Sequence, residues 1–123
     1  MQRGGVRELV SAARNGEVKL WDLRNDKPIL SFDATGSSSG SGGASVTLRS
    51  LGVHEHAPVL AVGTDRHEVR SYNTNGEPLG VFEPVTGMLR NRRSPLVATA
   101  YHPHRMLLAC AGLGDGHVSL VSY

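Results

Sequence analysis

The sequence has little or nothing of what marks several common protein classes. Cysteine occurs once in 123 residues, at Cys110, which excludes a disulfide within the chain and a metal site built from several cysteines. Aromatic residues make up only 5% of the chain, and no apolar run approaches the roughly 18 residues of a membrane span. The first residues lack the apolar core of a secretory signal. We therefore expect a cytoplasmic protein in which Cys110 is a small buried apolar residue.

Motifs that carry catalytic or nucleotide chemistry are also missing. No serine sits in a Gly-x-Ser-x-Gly elbow after a strand, since residues 40–42 belong to a low-complexity stretch. No glycine-rich phosphate loop precedes a helix, and no helix of useful length can be read. The net charge is only +2, without the clustered basic face of a nucleic-acid binder. We therefore expect no enzymatic activity, no cofactor and no nucleic-acid partner.

What the sequence does contain is glycine, at 15 residues, together with short alternating apolar segments. Residues 9–23 predict a β-hairpin, with an apolar strand, an Asn15-Gly16 turn and an alternating strand that includes Trp21 and Asp22. Asn-Gly between two apolar strands is a strong hairpin signal because both residues tolerate positive φ. A Trp-Asp pair in the second strand is typical of a propeller blade.

This hairpin recurs twice along the chain. Residues 9–21 align with residues 60–72 without a gap, and with residues 108–121 after one extra turn residue. A His-x-His pattern precedes both later copies, at the corner where a preceding strand turns into the hairpin. Such self-similarity is the signature of a repeat architecture. The repeat positions that these alignments single out are Trp21, Asp22, Tyr72, His54, His56, His102, His104 and Asp115.

Each complete unit is predicted to contain four short antiparallel strands, which is the plan of a propeller blade. The sequence therefore predicts an all-β fold, a partial WD40 propeller of about two and a half blades. The first unit begins at its second strand and the last stops at its third, so we expect the chain to be part of a larger ring. The predicted divisions are residues 1–34 as a partial blade, 35–45 as a flexible glycine- and serine-rich loop, 46–85 as a full blade, 86–95 as a basic inter-blade loop, and 96–123 as a closing partial blade.

The histidines at the two corners invite a metal interpretation. His54 and His56 lie on one side of an extended segment, and so do His102 and His104. Because the two pairs are equivalent positions one blade apart, we expect that they do not converge on one zinc ion, which takes four ligands in a structural site. We expect no metal site and instead predict that these side chains bond backbone groups at the corners. His67, in the turn that follows, is expected to be exposed.

Arg90, Arg92 and Arg93 form the densest basic run of the chain. Two interpretations stay open for them: a contact with an anionic lipid or phosphate, and a solvated loop whose three charges attract anions weakly. At most a peripheral membrane contact is expected from such a run.

Residues 11–22 resemble the WD repeat, with Asn15 where aspartate is usual and Ala13 where serine or threonine is usual. The network of His, Asp, Ser and Trp known from that repeat is therefore expected to be incomplete in this blade. The ordered stretches Val53–Ala61, Tyr72–Gly80 and Tyr101–His104 resemble the C-terminal propeller of the raptor family, and its plant type in particular. Raptor proteins are regulatory subunits of target-of-rapamycin (TOR) complex 1.

That resemblance implies a non-catalytic scaffold that presents substrates to the TOR kinase and couples the kinase to nutrient signals and cell growth. It implies as partners the subunits and substrates of that complex and the remaining blades of the same ring. Two alternatives stay open: a generic WD-repeat adaptor, such as the substrate receptor of a ubiquitin ligase, and a propeller that binds phosphoinositides.

Overall fold

The computed structural model describes residues 8–35, 46–82, 95–112 and 118–122. These residues form strands and turns and no helix, so nothing in the described part is a helix long and apolar enough to cross a bilayer. The prediction of an all-β fold is confirmed. The strands are β1 (Glu8–Ala12), β2 (Glu17–Asp22), β3 (Pro28–Asp33), β4 (Leu48–Val53), β5 (Val59–Thr64), β6 (Val69–Asn73), β7 (Pro78–Phe82), β8 (Leu96–Tyr101), β9 (Leu107–Gly112) and β10 (Val118–Ser122).

The strands form three antiparallel sheets in chain order. The first sheet is β1-β2-β3, the second is β4-β5-β6-β7 and the third is β8-β9-β10. The repeat alignment agrees with the observed strand register, because Leu9 pairs with Trp21, Leu60 with Tyr72 and Leu108 with Val121. The predicted hairpin and its two copies are therefore the same structural unit. The predicted domain boundaries stay a prediction.

The turn of the first hairpin differs in detail from the sequence prediction. Only Gly16 adopts a positive φ, of 103°, whereas Asn15 uses its side-chain Oδ1 to accept a hydrogen bond from the Glu17 amide at 3.0 Å. The Gly16 amide donates to the Ala13 carbonyl at 3.1 Å. The loop therefore spans residues 13–16, with glycine at its left-handed position, and is not a two-residue type I′ turn. In the corresponding turn of the second hairpin, between β5 and β6, the positive φ belongs to His67, at 62°, whereas Gly76, at φ 85°, lies in the turn between β6 and β7.

The apolar core lies between neighbouring sheets. Alternate residues of each strand face the next sheet, so the hydrophobic side chains of two sheets interdigitate. Each fully buried aliphatic side chain stabilises the fold by about 1.5–3 kcal/mol. Cys110 is buried at the second junction, as predicted, with its Sγ 3.7 Å from the Ser119 carbonyl oxygen. Buried residues of the first junction are Val10, Val18, Leu20, Ala34, Leu48, Val53, Leu60, Val62 and Tyr72, and those of the second are Ala61, Val69, Leu96, Leu108 and Cys110.

Strands β4 and β8 lie side by side and bring the second and third sheets close together. The Ser50 hydroxyl of β4 donates to the Leu96 carbonyl at 2.8 Å. Gly63 is required beside this bond, because a Cβ there would lie 2.7 Å from the Leu96 carbonyl oxygen and would also meet the Ser50 hydroxyl. The corners that follow β4 and β8 are consequently neighbours in space.

Candidate functional site: the histidine corners

His54, directly after β4, is the buried centre of its corner, with 4% of its surface exposed. Its Nδ1 accepts hydrogen bonds from the amides of His56 at 3.1 Å and Ala57 at 2.9 Å. Since Nδ1 is an acceptor, Nε2 carries the proton and donates to the Arg105 carbonyl at 3.0 Å. The ring also packs edge-on against Tyr101, with centroids 5.5 Å apart. One imidazole therefore closes its own turn and links the second sheet to the third.

His102, directly after β8, repeats the local part of this arrangement. Its Nδ1 accepts the amide of His104 at 3.1 Å, in the same way that the Nδ1 of His54 accepts the amide of His56. In both corners the first histidine is thus an acceptor for the backbone two residues later, much as aspartate or asparagine closes a turn. The first histidine of the pattern has a backbone partner and the second is left to project outward.

His56 and His104, the second histidines of the two corners, lie against each other. Their ring centroids are 5.4 Å apart and their planes differ by 14°, and both residues are exposed. Equivalent positions one blade apart are thus in ring contact here, because the corners lie where β4 and β8 are adjacent. Among the residues that the structure describes, no three histidine, cysteine or acidic side chains are close enough to hold a metal by themselves.

Tyr72 occupies the junction between the first and second sheets. Its ring lies 5.1 Å from that of Phe32, and its hydroxyl donates to the Ala34 carbonyl at 3.2 Å. Burial raises the pKa of Tyr72 above its ordinary value near 10, against an opposing effect of the Arg70 charge. Since a neutral hydroxyl donates the bond to Ala34, the tyrosine is a structural link between the sheets.

Trp21 lies on the opposite face of β2 from the buried Val18 and Leu20, and it is half-buried. Its Nε1 donates to the Ser11 hydroxyl at 2.9 Å, and the Lys19 ammonium lies 5.8 Å from its ring centroid. The WD repeat usually has serine or threonine at the position of Ala13, whereas here Ser11 of β1 accepts the bond from Trp21. The strand register explains this partner, because it places Ser11 opposite Lys19 and therefore diagonal to Trp21 on the same face of the sheet. Packing of Trp21 against another blade stays a prediction.

Asp22 ends β2 and holds the turn that follows. Its carboxylate accepts the Arg24 amide at 2.9 Å and pairs with the Arg24 guanidinium at 2.8 Å. His67 was expected to be exposed, but it is 7% exposed and adopts a positive φ of 62°. The remaining predicted positions, Asp115, Arg90, Arg92 and Arg93, lie outside the described residues, as does most of the predicted loop 35–45.

An open cleft of about 380 Å³ lies beside the first hairpin turn. Its lining includes the carboxylates of Glu17 and Asp33. Both carboxylates already have partners, because Glu17 accepts the Ser31 hydroxyl at 3.3 Å and Asp33 accepts the Thr35 hydroxyl at 2.6 Å.

No protein-family model matches the chain. The chain is 39% identical, over 123 residues and 99% of its length, to Target of rapamycin complex 1 subunit mip1 of Schizosaccharomyces pombe. It is 37% identical, over 98% of its length, to Target of rapamycin complex 1 subunit KOG1 of Saccharomyces cerevisiae. The crystal structure of Chaetomium thermophilum raptor superposes on 99% of the chain with a TM-score of 0.81 and 45% identity.

The chain is homologous to part of raptor. It spans 9% of the length of each yeast protein and 11% of the crystallised raptor chain. The expected resemblance is thereby confirmed, whereas its plant-type detail stays a prediction, since the identities above are to fungal proteins. The β-propeller domain of Myceliophteria_thermophila Cps50 (Swd1) also superposes, with a TM-score of 0.69 at 18% identity over 95% of this chain. That likeness shows the fold alone, and it supports the prediction of a partial propeller.

Proposed function

We propose that this chain is a segment of a non-catalytic scaffold subunit of TOR complex 1, one that presents substrates to the TOR kinase. The observation that carries the proposal is the similarity to two TOR complex 1 subunits over 98–99% of the chain. Its partners would be the kinase, other subunits, substrates and the other blades of the same ring. We propose a cytoplasmic location for this scaffold.

The surface of the described residues suits protein recognition. Strand β7 is exposed along its whole length, including Leu79 at 53% and Val81 at 64%. It is also an edge strand of the second sheet, and an extended peptide can add to such an edge through main-chain hydrogen bonds. The half-buried Trp21 and the apolar residues of β10 add further contact area of the kind that protein interfaces use.

Affinity purification of the full-length protein from its own cells tests this proposal. We expect the TOR kinase to be recovered with it, and the recovered complex to phosphorylate a substrate protein faster than the kinase without the scaffold. The same assay with a catalytically inactive kinase should show no phosphorylation, because the scaffold contributes no chemistry. Recovery without the kinase contradicts the proposal, and recovery with ubiquitin-ligase subunits would favour the adaptor alternative.

Vesicle flotation tests the lipid-binding alternative separately. That alternative is favoured if the unaltered protein floats with phosphoinositide vesicles and a variant does not. The variant has Arg90, Arg92 and Arg93 changed to serine. Equal behaviour of the two proteins is the result expected for a scaffold that reaches its partners through protein contacts.

A further inference from the structure

The tripeptide Asn-Gly-Glu occurs in two tight turns of the chain, each time with its glycine at positive φ. In the turn between β1 and β2, the Oδ1 of Asn15 accepts the amide of Glu17 at 3.0 Å. In the turn between β6 and β7, it is Asn73 whose Oδ1 accepts the amide of Glu77, also at 3.0 Å. Since Asn73 supplies the bond that closes the second turn, the carboxamide of Asn75 has no part in it.

The two asparagines differ in the freedom of their side chains. Asn75 is exposed, and its carboxamide has no hydrogen-bond partner among the residues that the structure describes. Asn15 is exposed too, but its carboxamide is held by the bond to Glu17, and the glycine that follows it is buried. The amides of Gly16 and Gly76 both donate to the carbonyl three residues earlier at 3.1 Å, so this main-chain bond does not distinguish the turns.

We propose that Asn75 is a site of spontaneous deamidation. The backbone nitrogen of Gly76 attacks Cγ of Asn75, the new bond closes a succinimide ring, and the bond from Cγ to Nδ2 breaks. The leaving nitrogen takes up the proton of the Gly76 amide and departs as ammonia. Water then opens the ring at one carbonyl or the other and leaves aspartate or isoaspartate at position 75. Asparagine is thermolabile, and a following glycine favours the attack because no side chain obstructs its nitrogen.

The isoaspartate product is expected to weaken the junction between the first two sheets. It places one additional carbon in the main chain directly before Gly76. That glycine already lies against the first sheet, since a Cβ there would be 3.1 Å from the Phe32 ring. The Phe32 ring in turn packs against Tyr72, with centroids 5.1 Å apart. The longer main chain therefore presses on the Phe32 ring or draws the turn away from it.

Incubation of the full-length protein at neutral pH, followed by peptide mapping, tests the site. Mass spectrometry detects the mass gain of each turn peptide, and chromatography separates isoaspartate from aspartate. We expect Asn75 to convert several-fold faster than Asn15. Synthetic peptides with the two turn sequences are the control and should convert at similar rates, because neither peptide is folded. Equal rates at the two positions of the protein, or a difference that the peptides reproduce, overturn the proposal.

Asn75→Gln tests the effect on the junction. Glutamine keeps the carboxamide but has to close a larger ring, so it reacts far more slowly. Hydrogen exchange in β3 is expected to be equal in the two fresh proteins and faster in the unaltered protein after incubation. Exchange in β8, at the other junction, is the internal reference. Equal exchange in β3 of the two incubated proteins overturns the effect on the junction. Co-purification with the kinase is independent of these outcomes.

Discussion

Gly16 shows how one residue decides whether the first hairpin can close. Its φ of 103° is unfavourable for any residue with a Cβ, and a Cβ there would overlap the Thr35 side chain and lie 2.8 Å from an Asp33 oxygen. The same loop joins β3, because the Ala34 amide donates to the Gly16 carbonyl at 2.8 Å. The consequences of losing this glycine should therefore reach all three strands of the first sheet.

Gly16→Ala is predicted to destabilise the first sheet by about 2 kcal/mol, from the left-handed conformation and the added contact. Amide hydrogen exchange of Ala13 and Ala34 in the full-length protein should then become about 30-fold faster, since 1.4 kcal/mol corresponds to tenfold. Gly80→Ala is the matched control, because a Cβ at that position meets no atom within 4 Å. Similar exchange rates in the two variants would contradict the prediction.

Tyr72 should make the free energy of unfolding depend on pH. Burial raises the pKa of Tyr72 in the folded protein, so above pH 10 the unfolded chain releases this proton more readily than the folded one does. The free energy of unfolding is therefore expected to fall as the pH rises above 10. Tyr72→Phe should remove that part of the dependence and should cost about 1 kcal/mol at neutral pH through loss of the hydrogen bond to Ala34.

Proteolysis pulses during urea unfolding of the full-length protein measure this dependence, through the release of peptides from the first two sheets. Tyr101→Phe serves as the control for changing a tyrosine at the other junction. An alkaline loss of stability that is the same size in the Tyr72→Phe variant would show that other groups cause it.

At the scale of elements, the molecule consists of sheets held face to face through close contacts of their first strands. Ser50 of β4 bonds the Leu96 carbonyl of β8, and Gly52 of β4 lies close to Thr99 of β8. His54, directly after β4, bonds the Arg105 carbonyl in the corner that follows β8. Strand β5, next to β4, adds to this contact. Gly63 of β5 lies so near the third sheet that a Cβ there would be 2.7 Å from the Leu96 carbonyl oxygen. The junction depends on small residues in one sheet and backbone oxygens in the next.

Gly63→Ala is predicted to loosen the third sheet from the second. The added methyl would displace the Ser50 hydroxyl and press on the Leu96 carbonyl, and overpacking of this kind costs about 1–3 kcal/mol. Hydrogen exchange should accelerate in β8, whereas β1 and β2 should be unaffected and so provide the internal control. Ser50→Ala, which removes only the hydrogen bond, should give a smaller change in β8. Uniform acceleration across all three sheets would argue against a local effect.

The strands were predictable because alternation and turn residues are local signals. Apolar and polar residues alternate around Val18 and Val69, and small residues precede each turn. These two patterns identified every hairpin in the described part. The meeting of His56 and His104 was not predictable, since a repeat shows which positions are equivalent but not the distance between neighbouring blades. The Ser11 partner of Trp21 was missed because Ser11 lies opposite Lys19 and reaches Trp21 diagonally, a relation that the repeat consensus does not show.

For the whole molecule, the outer face of the third sheet presents apolar side chains without a covering layer among the described residues. Val118 is 67% exposed and Leu120 is 65% exposed. Their register partners in β9, Ala111 and Ala109, face the same way, which extends the apolar surface over two strands. Exposed apolar faces and open strand edges of this kind favour association between molecules.

The isolated chain is predicted to self-associate through this face. Val118→Lys combined with Leu120→Lys should shift the chain towards a monomer, because charges desolvate at a cost when two such faces meet. Analytical ultracentrifugation at several concentrations measures the change. Ser31→Lys combined with Asn75→Lys adds the same charge at exposed polar positions and should leave association nearly unchanged. An unaltered chain that stays monomeric at high concentration would contradict the prediction.

The two junctions between sheets differ at the outer rim, and this difference decides what each rim exposes to water when it opens. At the first junction, the ring of Phe32 on the outermost strand lies tilted against that of Tyr72 of the next sheet, at an interplanar angle of 45°. At the second, Gly80 of the outermost strand faces open space in the described part of the chain. Parting the first two sheets at the rim therefore exposes two aromatic rings to water, whereas Gly80 contributes no side chain to the rim of the second junction.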